Sequence, residues 1–268
     1  MDVVMVSAEM TPFSKSGGLG DVVGALADAL HRDGHRVMTV TPRYASVPEQ
    51  GLEDTGVQVR TYLGGVEQVA RLRVLRGHGP THVFVEHPVF GERQGLYGDA
   101  NGAFGDNHLR FAMLQRAALE AARCVHVGDA PLGPEPVFHV HDWQAAALPA
   151  YLDQYHRSLG FFRYSPVVLT VHNPAHQGRL PRAFFEDLDL PRHWFTPDGF
   201  EWHGDLALLK CGLVRADRIT TVSPSYAWEV TTPEGGFGLD GVFRGRFAEF
   251  SGILNGIDTT SWNPSDDP

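Results

Sequence analysis

The chain has 268 residues, 43% of them hydrophobic, and a formal net charge of −10. That length allows one large α/β domain or two small ones, and no apolar run approaches the length needed to span a membrane. The acidic charge is dispersed without a basic run, which argues against nucleic acid as a partner. Cys124 and Cys211 are the only cysteines, so no disulfide framework is expected; together with an N-terminus that lacks a signal-peptide pattern, this fits a reducing cytoplasm.

The apolar run Val3–Val6 reads as a strand, and Asp21–Leu30 as an amphipathic helix. Between them stands Lys15-Ser16-Gly17-Gly18-Leu19-Gly20-Asp21. Three glycines and a lysine at a strand-to-helix junction suit close approach of a phosphate to helix N–H groups and an ammonium. The spacing matches neither the Walker A loop nor the dinucleotide fingerprint. Asp33-Gly34 ends the helix, and Arg36–Val40 is a second buried strand. From Val57 to Glu86 the pattern alternates and turns at Gly64-Gly65, as in an antiparallel meander or hairpin added to the edge of a parallel sheet.

Residues 87–107 form a Gly/Pro/Asn/Asp-rich loop holding Gly95-Leu96-Tyr97-Gly98-Asp99. A long helix from Asp106, its expected cap, to Cys124 follows. Strand Val137–His141 delivers Asp142-Trp143-Gln144 and a helix over Ala145–Tyr155. Strand Val167–Val171 delivers His172-Asn173. After an irregular stretch with a short helix near Pro181–Asp187, a helix over Gly204–Ala216 and a strand over Arg218–Val222 are expected. Ser223-Pro224 then caps another helix. Thr232–Gly245 reads as a mobile glycine-rich loop and Gly252–Leu254 as a last strand ending at Asn255-Gly256. Asn263–Pro268 reads as the start of a linker.

In a parallel sheet with helical crossovers, ligands bind beyond the carboxyl ends of the strands. Lys15, His141-Asp142, His172-Asn173, Ser223 and Asn255 all fall there, which predicts one polar crevice. Each also has a plainer role: Asp142 as a cap for the following helix, His139 as a hydrogen-bonded core residue, Ser223 as a cap, Trp143 as packing, and Asn255-Gly256 as a turn. His139, His141, Asp142, His172 and His176 form a weak metal pattern without a His-Glu-x-x-His or carboxylate set, so no metal is expected.

Several separated segments resemble one family, the bacterial glycogen synthases and plant starch synthases. They are the Lys15–Val22 segment, His139-Val140-His141-Asp142-Trp143, Thr170-Val171-His172-Asn173 with Gln177-Gly178, Thr220–Tyr226, Gly238–Gly241, and Ile253–Asp258 with Trp262-Asn263-Pro264. The resemblance implies a retaining GT-B glycosyltransferase of family 5. Such an enzyme carries glucose from ADP-glucose to the non-reducing end of an α-1,4-glucan such as glycogen, without metal or other cofactor. It further implies a Rossmann-like parallel sheet with helices on both faces, formed by an N-terminal acceptor-side domain over 1–262, with linker from 263–268 and a nucleotide-binding domain beyond. By position, Asp142 and His172 are implied as catalytic residues. Lys15, Gly17, Gly18 and Asn255 are implied as donor contacts, and Tyr97, Trp143, Asn173 and Gln177 as acceptor or sugar contacts. His176, Gln144 and Cys211 depart from the family pattern. Two functions stand side by side: half of a synthase, inactive alone, or a half-length module that binds glucan or a partner chain without turnover.

Overall fold

A computed structural model describes residues 1–256 of the protein. The expectations for Ile257-Asp258, Trp262–Pro264, the domain limit at 262 and the linker lie outside the described residues. The main sheet is built from β1 (Asp2–Val6), β2 (Arg36–Pro42), β3 (Glu53–Leu63), β4 (Val66–Leu75) and β5 (Thr81–Glu86), with β6 (Val137–His141), β7 (Val167–Val171), β8 (Arg218–Thr221) and β9 (Phe250–Gly252). Its nine strands lie in the order β9-β8-β7-β6-β1-β2-β5-β4-β3. All neighbours from β9 to β5 pair in parallel, and β4 and β3 extend the edge as an antiparallel hairpin. The hairpin turn is Gly64-Gly65, with φ of 62° and 70°. Positive φ at both central residues is what a tight hairpin turn needs and what side chains resist. The expected addition is therefore present, with Thr81–Glu86 belonging to the parallel set through its pairing with β2.

The central strand shows why both faces are covered. Val3 and Met5 of β1 join Val37, Leu19, Val23 and Ala27 on one face, while Val4 and Val6 join Met38 and Val40 on the other. Alternation with both sets apolar is the signature of a strand buried on two sides. Helix α1 (Gly18–Arg32) covers the first face with residues spaced by four, and α2 (Asn107–Cys124) packs against the second. Helices α3 (Leu148–Tyr155), α4 (Leu208–Arg215), α5 (Pro224–Glu229) and α6 (Asp240–Gly245) complete the layers.

Four local expectations are corrected. The helix from Ala145 is split: a helical turn over Asp142–Ala145 precedes α3. Pro149, at the start of α3, has no N–H to continue the ladder. Residues 205–207 form a short antiparallel strand against Arg179–Leu180 and Glu201–Trp202, so α4 begins at Leu208. Asp240–Gly245 is a helix where a mobile loop was expected, and Gly236 ahead of it is a packing position: a Cβ there would sit 2.6 Å from both the Val230 carbonyl oxygen and the Asp240 Cβ. Asp106 does not cap α2 with its side chain; its carboxylate accepts from both terminal guanidinium nitrogens of Arg93 at 2.6 and 2.7 Å.

Candidate active site

The strand order reverses between β1 and β6, since the chain runs outward from β1 to β2 and β5 and then returns to the other side. The segments leaving the carboxyl ends of β1 and β6 are neighbours there, and a crevice opens at such a switch point.

From β1 the chain runs through Ser7–Gly17 into α1. Gly20 and Gly24 let the helix lie on this segment: a Cβ at Gly24 would come within 2.5 Å of the Thr11 hydroxyl, and the Thr11 N–H donates to the Gly20 carbonyl at 3.0 Å. Gly17 and Gly18 are different. Nothing lies within 4 Å of a Cβ added to either, so their bareness leaves open space at the helix start. No side chain caps α1. Lys15 Nζ is 2.6 Å from Asp21 Oδ2 across the first turn, with both side chains about half exposed (48% and 43%). Such a pair contributes little to stability and holds the ammonium beside the helix N-terminus.

One site residue gave no motif signal. Glu9 is buried, and its carboxylate gathers four donors. These are the backbone N–H of Ser16, the Ser16 hydroxyl at 2.6 Å, the N–H of Gly17 at 3.3 Å, and the Tyr97 hydroxyl at 2.6 Å. The Ser16 and Gly17 N–H groups are thus already bonded to Glu9, which leaves the helix start at Gly18 for an anion. The only hint in the sequence is a lone acid between apolar neighbours, Ala8 and Met10. A carboxylate there must find donors. Burial pushes the Tyr97 phenol up, with Tyr44 and the Glu9 carboxylate adding to it. The Tyr97 ring is half-buried, tilted against Phe111 at 5.9 Å.

On the other side of the seam, Asp142 has φ of +54°. This left-handed conformation is tolerated by Asp and Asn and strained for most residues. It begins the helical turn yet turns its carboxylate to β7, where Oδ1 accepts the N–H of His172 at 2.7 Å and of Asn173 at 3.4 Å. Burial raises its pKa from 3.8 to about 7, opposed by those two backbone bonds and assisted by the negative charge of Glu9. Of its two readings, capping is not the role of this side chain.

His172 Nε2 lies 3.1 Å from Nδ1 of the fully buried His141, and burial lowers the pKa of both, for His172 to about 4. His139 is a hydrogen-bonded histidine of the sheet, with Nε2 2.7 Å from the Thr170 hydroxyl. Among the described residues no three His, Cys, Asp or Glu side chains are placed to hold a metal ion.

The remaining predicted residues are dispersed around this centre. Trp143 packs edge-on against Phe111 at 5.2 Å and fills the space beside Gly178, as its packing reading expects. Asn173 Oδ1 accepts the Ala175 N–H at 3.0 Å, and Gln177 Nε2 ties its loop to the Phe237 carbonyl at 2.9 Å. Ser223 Oγ accepts the Tyr226 N–H at 3.1 Å and caps α5. Asn255 is exposed beyond β9, its N–H bonded to the Val222 carbonyl. A cleft of about 360 Å³ beside the lysine loop is lined by residues including Lys15, Tyr44, Arg93 and Leu96.

A mostly parallel sheet with a glycine-opened helix on one side of its switch point and a buried carboxylate on the other defines a Rossmann-like α/β protein with a ligand crevice at that seam. Residues 2–245 match the family described as "Starch synthase catalytic domain", and the chain belongs to that family. It is 44% identical to a glycogen synthase of Myxococcus xanthus over 100% of this chain and 55% of that protein. It is 40% identical to the chloroplastic/amyloplastic starch synthase 1 of Arabidopsis thaliana, over 99% and 43%. The catalytic domain of starch synthase IV from Arabidopsis thaliana, solved bound to ADP and acarbose, superposes with a TM-score of 0.86 at 32% identity. That match covers 100% of this chain and 54% of the other. The family resemblance and the fold class expected from the sequence are borne out. The chain spans about half the length of the curated relatives it matches. Among the described residues no helix is long and apolar enough to cross a membrane.

Proposed function

We propose that this chain is the N-terminal, acceptor-side half of a retaining glucosyltransferase that moves glucose from ADP-glucose to the non-reducing end of an α-1,4-glucan. The observation that carries the reading is Asp142, held in a left-handed conformation by the His172 and Asn173 N–H groups. It stands across the seam from an uncapped helix start with a lysine beside it. The relatives' names and the ADP and acarbose of the starch synthase IV structure support the substrate class. The domain covers 1–262, the linker begins at 263, and a second domain supplies the rest of the nucleotide site. The protein works in a reducing cytoplasm on ADP-glucose and glycogen, without nucleic acid or a membrane surface.

Breaking the donor bond places negative charge on the departing phosphate and positive character on the sugar carbon. Lys15 and the open helix start at Gly18, approached past the bare Cα of Gly17, meet the first charge, with no metal or cofactor required. Asp142 and His172 hold the glucosyl unit, with Asn255 on the donor side. Tyr97, Trp143, Asn173 and Gln177 shape the acceptor wall, where fixed orientation lowers the entropic barrier.

The test is glucosyl transfer from ADP-glucose to glycogen by the full-length protein, by Lys15→Ala and by residues 1–268 alone. The full protein should be active and unaffected by EDTA. Lys15→Ala should lose about a hundredfold or more in turnover, as for removal of one charge-stabilising donor, and 1–268 should be inactive. An inactive full-length protein that still retards on a glycogen gel would replace this reading with that of a glucan-binding module.

A further inference from the structure

Two neutral imidazoles sharing one hydrogen bond need opposite roles, since one nitrogen must carry the proton and the other must receive it. His141 Nδ1 and His172 Nε2 are 3.1 Å apart. Either His141 donates and His172 accepts, or the reverse. The choice is made by the far nitrogen of His141. Its Nε2 is buried without a hydrogen-bond partner among the described residues. If that nitrogen held the proton, a buried N–H would be orphaned; if it holds a lone pair, only an acceptor goes unused. Orphaned buried N–H groups are the rarer and costlier of the two. The doubly protonated ring is disfavoured as well, because His141 is fully buried against the imidazoles of His139 and His172, and among the described residues no carboxylate is hydrogen-bonded to its ring nitrogens.

We propose that His141 is a positioning residue: it keeps its proton on Nδ1, donates it to Nε2 of His172, and thereby locks His172 in the Nδ1–H tautomer. The proton of His172 is then on the nitrogen that has no hydrogen-bond partner among the described residues, on a ring that is only partly buried. His172 faces a ligand as an N–H donor, suited to an oxygen lone pair, and not as a base. Imidazole in water favours the opposite tautomer, so a nearby donor is what reverses it. His139 packs against His141 with ring centres 4.3 Å apart and planes tilted by 33°, and is itself tied to Thr170, which limits the room for the His141 ring to turn. The use made of the donor rests on the proposed function above; the tautomer does not.

The experiment is a long-range proton–nitrogen spectrum of the ring-labelled protein at pH 8, where both rings are neutral. Three forms are compared: wild type, His141→Phe and His141→Asn. Wild type should show His172 with a protonated Nδ1 and a bare Nε2. His141→Phe, which removes the donor, should move the His172 proton to Nε2. His141→Asn, whose amide N–H sits near the position of Nδ1, should restore the wild-type pattern. A wild-type spectrum with the proton on Nε2 of His172 overturns the proposal, even if neither variant folds. So does a His141→Phe spectrum unchanged from wild type. Absence of glucosyl transfer by the full protein would refute the proposed function and leave these spectra to stand.

Discussion

Replacing Asp142 with asparagine should stabilise the fold at alkaline pH while removing activity. The native carboxyl has its pKa raised from 3.8 to about 7, chiefly by burial at 7% exposure. A group whose native pKa lies above its unfolded value favours folding only while protonated. Below pH 4 both states hold the proton and there is no penalty. Between pH 4 and 7 the unfolded chain ionises first, and above pH 7 the whole penalty is present, with a ceiling of about 4 kcal/mol. Asparagine keeps an oxygen for the His172 and Asn173 N–H groups and tolerates φ of +54°, so it loses the charge without losing the geometry. The assay is thermal unfolding of wild type and Asp142→Asn from pH 4 to 9. The difference in Tm should be near zero at pH 4, grow through pH 7 and then level, at about 2–4 °C for each kcal/mol. His139, His141 and His172, whose lowered pKa values make the fold less stable as pH falls from 6.5 toward 4, act on both proteins and cancel. A Tm difference that does not vary with pH, or a less stable variant at pH 8, would refute the reasoning.

Glu9→Gln leaves one amide oxygen for four converging donors, and unfolding by urea should show a loss of about 1–3 kcal/mol for the donors stranded. Gly24→Ala should cost about 1–3 kcal/mol because the new methyl meets Thr11 backbone; Gly17→Ala, with extended φ of −157° and open space, should leave Tm unchanged while weakening ADP binding. Ser223→Ala removes the cap of α5 and should cost about 1 kcal/mol by the same denaturant measurement, without effect on transfer chemistry.

The elements that were legible in the sequence are those with their information packed locally. Val3–Val6, Val137–His141 and Val167–Val171 are short apolar runs ended by polar residues, and Gly64-Gly65 has the two flexible positions a tight turn needs. Because strand ends converge in any such sheet, Asp142 and His172 could be placed side by side before their geometry was known. What the sequence hid depends on distant partners. Asp106 forms its strongest bonds with Arg93, so local capping rules misplace it. Glu9 acquires its meaning from Ser16, Gly17 and Tyr97, the last brought in by a different loop. Gly236 reads as flexible in composition and is a close-packing position in space. The direction of the His141–His172 bond is set by a lack of partners around one buried atom, which no motif encodes.

The strand order also sets the sequence of assembly. β1 finds its partner β2 early, through Val3 with Val37, but its other neighbour pairs Val3 with Val137. A chain emerging from the ribosome can therefore close one half of the sheet while the strand at its middle still has a bare edge, and loop-closure entropy delays the second pairing. The crevice lies along that later-closed line. Until residues 137–172 have been made and docked, the lysine loop is a finished part with nothing opposite it. Mutations that slow the β1–β6 closure should therefore prolong the life of an aggregation-prone half-sheet before they affect the final protein.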